Sequence, residues 1–262
     1  EIYYYLGTGS GEGKDPSKHE EEFLEIGNTV FMQYRRIEGN GWAQLPQNNV
    51  DFGGGLERIA LVCQGKQDIF ETDMFWPIIE KIQSLSGKDY YENEKTKRAM
   101  RTLADHIRSI TIMAMDGVVP SNKDQGYFLR RILRRMVRTG RVLGIEKGIS
   151  VNLVDTVCTL FSWLYPELST KQSEIKTLFA DEEQKFSMTL INGQRELQRI
   201  IQHHGTKLEN PNVAAQYIFD LYQSIGFPPE MSLEELVEHN IHITDKKKHL
   251  TAYEQYKKKH QD

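Results

Sequence analysis

The chain has 262 residues, 39% of them hydrophobic and 27% charged, with a formal net charge of −4. That length holds one large or two ordinary domains, and the composition is that of a soluble globular protein with a sizeable core. It excludes a membrane span, since no apolar run is long enough, and a disulfide framework, since there are two cysteines; the slightly acidic balance confines any nucleic-acid footprint to a local patch.

The first residues, "EIYYYLGTGSGEGKD", begin without Met and lack the basic-then-apolar order of a signal peptide. The expectation is a piece of a longer protein. Residues 1–6 and 22–37 have strand character, the latter through "TVFMQYRRI", with a polar glycine-rich loop between them. "EGNGW" is a hairpin signal, Asn40-Gly41 being suited to positive φ. "WAQLP" is the returning strand, Pro46 and "QNN" a loop, and "VDFGGG" the way out of the sheet.

From Leu56 onward apolar residues recur at the helical period. Helices are expected near 55–64, 72–86, 92–115, 125–143, 151–164, 169–204, 211–224, 232–239 and 245–260. Gly87, Gly117, Gly144 and Gly205 each follow such a pattern as a stop, while Asn210 and Pro211 suit a cap and a first turn. Cys63 and Cys158 lie inside apolar helical patterns and read as buried, reduced thiols in a cytosol-like compartment. The chain thus divides into a β-rich piece, residues 1–66, and a helical piece, residues 67–262. A few strands bury little by themselves, so the β piece reads as the end of a larger sheet domain.

Two stretches carry chemistry. In "VDFGGGLERIALV", Asp51 precedes three glycines and a helix whose first turn holds Glu57 and Arg58. Glycines before a helix N-terminus let a ligand approach backbone N–H groups that favour anions. Arg58 offers a planar fork for phosphate, and Asp51 a carboxylate for an ammonium group. A plain strand-to-helix turn with surface charges explains the same residues. No Gly-Lys-Ser/Thr follows, so this is not a P-loop, and "DFG" lacks the other kinase segments.

The second stretch is "MDGVVPSNKDQGYFLRRILRRMVRTGRVLG", residues 115–144. Phe128, Leu129, Ile132, Leu133, Met136 and Val137 form an apolar stripe. Arg130, Arg131, Arg134, Arg135, Arg138 and Arg141 fill much of the rest, with no acid between Gln125 and Leu143. Such a face suits a phosphate backbone. The ordinary alternative is a salt-bridged face, with "ADEEQKF" of the 169–204 helix supplying partners, although that run is short for six arginines. Asn122, in the preceding loop, has the donor and acceptor to read a base edge, or else caps the helix.

Together "EIGNTVFMQYRR", "VDFGGGLERIALV", "LADHIRSITIMAMDGVVPSNKDQGYFLRRILRRMVR" and "FDLYQSIGFPPE" resemble successive segments of the alanyl-tRNA synthetase family, in that order. The resemblance implies an α+β fold: the C-terminal part of an antiparallel class II synthetase catalytic sheet, then a mostly α-helical tRNA-recognition domain. It implies alanine activation with ATP and Mg2+ and transfer to tRNA-Ala in the cytoplasm. It places ATP phosphates on Arg58, adenosine and alanine beside Gly53 and Gly55, and the alanine ammonium group on Asp51. Asn28 and Val30 then line the amino-acid pocket. Asn122 matches a residue reading a G·U pair in the acceptor stem, and the arginines at 130, 131, 134, 135 and 138 match the tRNA-binding face. The second base-reading position, an Asp in the family, is Gln223 here. Gly27 stands where the family has Trp, and "DFGGG" replaces "DTGMG". Motifs 1 and 2 and the zinc-liganding set of the editing domain do not occur in this sequence. The expectations are no metal ligands and no membrane partner. A non-catalytic helical RNA-binding module and a scaffold for acidic protein partners are the competing readings.

Overall fold

The β-rich run folds as an antiparallel sheet in the order β1–β2–β3, comprising β1 (Ile2–Tyr5), β2 (Phe23–Ile37) and β3 (Gly41–Gly54). These coordinates come from a computed structural model that describes residues 1–260. The β2–β3 hairpin turns through Gly39 (φ 84°) and Asn40 (φ 61°). The left-handed pair therefore falls one residue before the expected Asn40-Gly41, and Gly41 already pairs with Ile37.

The expected loop at Pro46 is instead part of β3. Tyr34 pairs with Gln44 and Met32 with Asn49, so Gln33 alone faces residues 45–48. Pro46 has no N–H for the ladder, and a wide bulge lets the strand pass it without leaving the sheet.

Nine helices follow among the described residues: α1 (Leu56–Cys63), α2 (Trp76–Ser86), α3 (Glu94–Met115), α4 (Asp124–Val142), α5 (Ile149–Phe161), α6 (Glu167–His204), α7 (Pro211–Ile225), α8 (Pro229–Glu238) and α9 (Lys246–His260). The fold is α+β, and each expected helix forms within a few residues of its predicted ends. Gly87 (φ 68°), Gly117 (φ 90°), Gly144 (φ 86°) and Gly205 (φ 48°) are all left-handed, as helix stops require. The Asn210 side chain accepts from the N–H of Asn212 at 3.0 Å, and Pro211 opens α7. No helix of the described residues is long and apolar enough to cross a membrane.

The chain divides into two units. One comprises Glu1–Ile112, Thr139–Ile145 and Asn152–Gln172; the other comprises Met113–Arg138, Glu146–Val151 and the chain from Ser173. Within the first, Phe75 before α2, Ile78, Ile79 and Ile82 on α2, and Leu103 and Ile107 on α3 are buried. The sheet in this unit has little core of its own: Phe31 is 75% exposed and Trp42 69%. Asp68 ties the helices of this unit, accepting from the Tyr90 hydroxyl at 2.6 Å and pairing with Arg101. Burial pushes its carboxyl up, but the Tyr90 and Arg101 hydrogen bonds outweigh this and hold it below the ordinary range. Within the second unit, Leu129, Leu133, Phe179, Phe186, Ile218 and Phe227 are fully or almost fully buried.

Two burial expectations are corrected. Cys158 is buried, but Cys63 is exposed, because the short α1 buries only Leu61. On α4, Leu129, Leu133, Met136 and Val137 are buried, but Phe128 is 54% exposed. A four-residue spacing fixes the centre of the stripe, and Phe128 lies at its edge.

Candidate functional site

In the first unit the sheet bulge sets the site. From the hairpin to Tyr34 the paired residue numbers sum to 78, and from Met32 onward they sum to 81. A shift of three residues is odd, so it turns every later β3 side chain to the other face. Without it Asn28 would face Val50. With it Asn28 faces Gly53 and Val30 faces Asp51, which puts these four on one face of the ladder. A Cβ on Gly53 would sit 3.4 Å from the Asn28 side-chain oxygen, in ordinary contact.

Arg58 and Gly55 adjoin this ladder at the β3–α1 turn. Gly55 donates its N–H to Ile26 O at 3.1 Å, and Arg58 Nη1 donates to Glu25 O at 2.8 Å. The guanidinium is exposed, and its remaining donors are unengaged among the described residues. A Cβ at Gly55 would lie 3.2 Å from Arg58 Cδ, so the glycine makes room for the arginine to fold back. Glu57, next to it, pairs with Arg108 of α3 at 2.8 Å and anchors α1. Burial pushes the Glu57 carboxyl up, yet backbone and Arg108 hydrogen bonds hold it below its usual value. The strand residues and Arg58 are thus brought together at one end of β3. Asp51 is exposed, ready for a cation but not enclosed.

In the second unit α4 sorts its arginines. Glu182 of α6, 4% exposed, takes Arg134 through Nη2 at 2.8 Å and Arg130 through Nε at 3.3 Å. Arg138 pairs with Glu234, and burial pulls its guanidinium below its ordinary pKa. Arg131 and Arg135 are exposed, on the same outward face as Tyr127 and Phe128. Arg131 has no ion pair among the described residues. The single acidic run of α6 therefore does more than its length suggested, since one carboxylate serves two arginines.

Asn122 is exposed, and its side-chain oxygen accepts from Arg130 Nη1. The loop before α4 is folded back on the helix: Ser121 N donates to Gly126 O at 3.0 Å. A Cβ on Gly126 would stand 2.4 Å from the Val119 carbonyl oxygen, closer than any side chain tolerates. Gln223 is exposed near the end of α7, and no hydrogen bond joins it to Asn122 among the described residues. Gly126 and the bulge at Pro46 were not singled out from sequence, and Glu182 only as part of the acidic run "ADEEQKF". The signal at Gly126 was a glycine in the first turn of a helix, where none is needed for backbone reasons. His19, Glu21 and Glu22 form a potential metal-ligand cluster among the described residues, but Glu22 is already paired with the Lys14 ammonium.

A sequence model of the tRNA synthetases class II (A) matches residues 1–262. The chain belongs to this family. It is 38% identical to the alanine–tRNA ligase of Dehalococcoides mccartyi strain BAV1 over 246 residues, 93% of this chain and 28% of that protein. It is 39% identical to the alanine–tRNA ligase of Fusobacterium nucleatum over 247 residues, 91% of this chain and 28% of that protein. Against the alanine–tRNA ligase of Borrelia hermsii it is 39% identical over 243 residues, 92% of this chain and 40% of that protein. The chain spans between 28% and 40% of the length of these curated relatives. The class II synthetase resemblance carried by "VDFGGGLER" and the arginine-rich segment is thereby borne out.

Proposed function

We propose that this chain works in an alanine–tRNA ligase of the cytoplasm, supplying part of the alanine and ATP site and the surface that binds the acceptor stem of tRNA-Ala. In this reading residues 1–66 are the C-terminal part of the catalytic domain and residues 67–262 the tRNA-recognition domain. The observation that carries it is the bulged register, which gathers Asn28, Val30, Asp51 and Gly53 on one face beside Arg58. Asp51 holds the alanine ammonium group, and Val30 opposite it offers an apolar contact for a methyl side chain. Gly53 leaves room beside Asn28. Orienting the amine fixes the carboxylate, which attacks the α-phosphate of ATP and expels pyrophosphate. Arg58 Nη1 is held by Glu25 O, so the rest of its fork meets phosphate with its position already set. Mg2+ bound with ATP would supply neutralisation of the triphosphate charge as pyrophosphate leaves. No general base is required of this chain.

On α4, exposed Arg131 and Arg135 contact the phosphates of the stem, and Asn122 and Gln223 reach its base edges. The test is binding of a fluorescent tRNA-Ala acceptor-stem hairpin by the 262-residue chain at moderate salt. Reversing both exposed charges, Arg131→Glu with Arg135→Glu, should abolish binding, with circular dichroism checking that the variant is still folded. Undiminished affinity in that variant would defeat the assignment.

A further inference from the structure

The Asn122 amide is not free to turn. Its oxygen accepts from Arg130 Nη1, and an arginine has five donors and no acceptor. Flipping the amide would set its NH2 against a guanidinium, so the chemistry alone fixes the oxygen inward. Arg130 is itself held by two hydrogen bonds, Nη1 to Asn122 and Nη2 to Pro120 O at 3.3 Å, and its buried Nε, which makes no hydrogen bond among the described residues, lies in ion-pair range of Glu182 at 3.3 Å. Glu182 is almost wholly buried and is also held by Arg134. The fold-back of residues 119–123 over Gly126 completes the clamp. What remains of Asn122 is Nδ2, with two protons and no partner among the described residues, on an exposed side chain.

We propose that Arg130 and Glu182 are positioning residues that make Asn122 a donor-only reader: Glu182 holds Arg130, Arg130 holds the amide oxygen, and the outward NH2 selects an acceptor on a base edge of the RNA stem. The inference rests on Asn122 meeting the acceptor stem, and it goes beyond that reading. It removes Arg130 from the phosphate-binding set and names the chemistry of the atom that Asn122 recognises. A free amide could present either end and would tell acceptor from donor poorly; a clamped one rejects a base edge that offers an amino group.

The test measures hairpin affinity of the 262-residue chain against salt, for a stem with its G·U pair and for one with G·C in its place. Asn122→Asp keeps the oxygen for Arg130 and swaps the outward NH2 for a second oxygen. It should melt no lower than the wild type and bind the G·U stem roughly tenfold or more weakly, including at high salt, where general repulsion is screened. Arg130→Met leaves Glu182 paired with Arg134. It should bring the preference for G·U towards parity with the salt slope unchanged. A phosphate contact would instead lower that slope by about 0.7–0.9 with preference kept, and that result overturns the inference. Wild-type affinity in Asn122→Asp overturns it too, and both outcomes leave the proposed function standing. Should Arg130→Met fail to fold, the Asn122→Asp arm decides alone. Wild-type chain that ignores the difference between the two stems defeats the proposed reading of Asn122, and the inference with it.

Discussion

Glu182 decides which arginines of α4 can meet anything outside the protein. At 4% exposure it is one of the few buried charges of the chain, and it is matched by two guanidinium groups. Arg134 also lies over the Phe186 ring at 5.0 Å, so its charge is held by a carboxylate and a π face at once. Breaking a buried pair leaves a bare charge, which costs about 3–5 kcal/mol. Arg134→Glu goes further by setting an acid against an acid. We expect it to lower the unfolding free energy by at least that amount, read as a shift of the urea midpoint, whereas Arg131→Glu shifts the midpoint by less than about 0.5 kcal/mol equivalent. Equal effects of the two substitutions would mean that Glu182 does not anchor the helix. The identity of that anchor was not legible in the sequence: Glu182 lies 48 residues beyond Arg134, and only the packing of α6 against α4 brings them together. What the sequence could offer was the acidic run "ADEEQKF" as a source of partners, not which of its carboxylates would take two arginines.

The next residue along α6 does the corresponding work for a whole element. Glu183, 5% exposed, accepts from the N–H groups of Gly148 at 2.5 Å, Ile149 at 3.2 Å and Ser150 at 3.1 Å, and from the Ser150 hydroxyl. These are the orphan donors of the first turn of α5, and a carboxylate at a helix N-terminus also answers the macrodipole. An exposed cap contributes about 0.5–2 kcal/mol, but here removal strands several buried N–H groups together. Glu183→Ala should therefore cost more than about 2 kcal/mol, seen as early thermal melting, while Glu183→Gln, which keeps one acceptor oxygen, should recover part of it. A loss below about 0.5 kcal/mol would show that solvent caps α5 instead. At this scale the sequence was informative wherever punctuation is local. Asn210, Pro211 and the left-handed glycines mark helix ends by their own backbone preferences. It was silent where an element depends on a distant side chain, as α5 does on Glu183, or on register. Pro46 announced an interruption of β3, but nothing in the strand says that three extra residues will be absorbed and the face inverted.

That inversion matters most for the molecule as a whole. Once the bulge has placed Asn28, Val30, Asp51 and Gly53 together, the face they share carries no cover among the described residues of its unit: Asp51 is exposed and Val30 is 50% exposed. The opposite face is equally open, with Phe31 at 75%, Val50 at 63% and Phe52 at 61%. An exposed carboxylate meeting an ammonium group in water gains only about 0–1 kcal/mol, too little to hold free alanine. Arg58 has the same handicap, since a guanidinium stabilises a developing phosphate charge strongly only where water is excluded. The α4 surface has no such need. Phosphate contacts work at an open, salt-sensitive interface and add up with their number. The two proposed tasks therefore make different demands on enclosure, and the 262-residue chain meets only one of them. We expect it to bind the acceptor-stem hairpin with an affinity that falls steeply with salt, yet to give no alanine-dependent exchange of pyrophosphate into ATP above background. Clear exchange by this chain would show that an open ladder suffices for amino-acid activation, and would refute the argument from enclosure while leaving the register that builds the ladder intact.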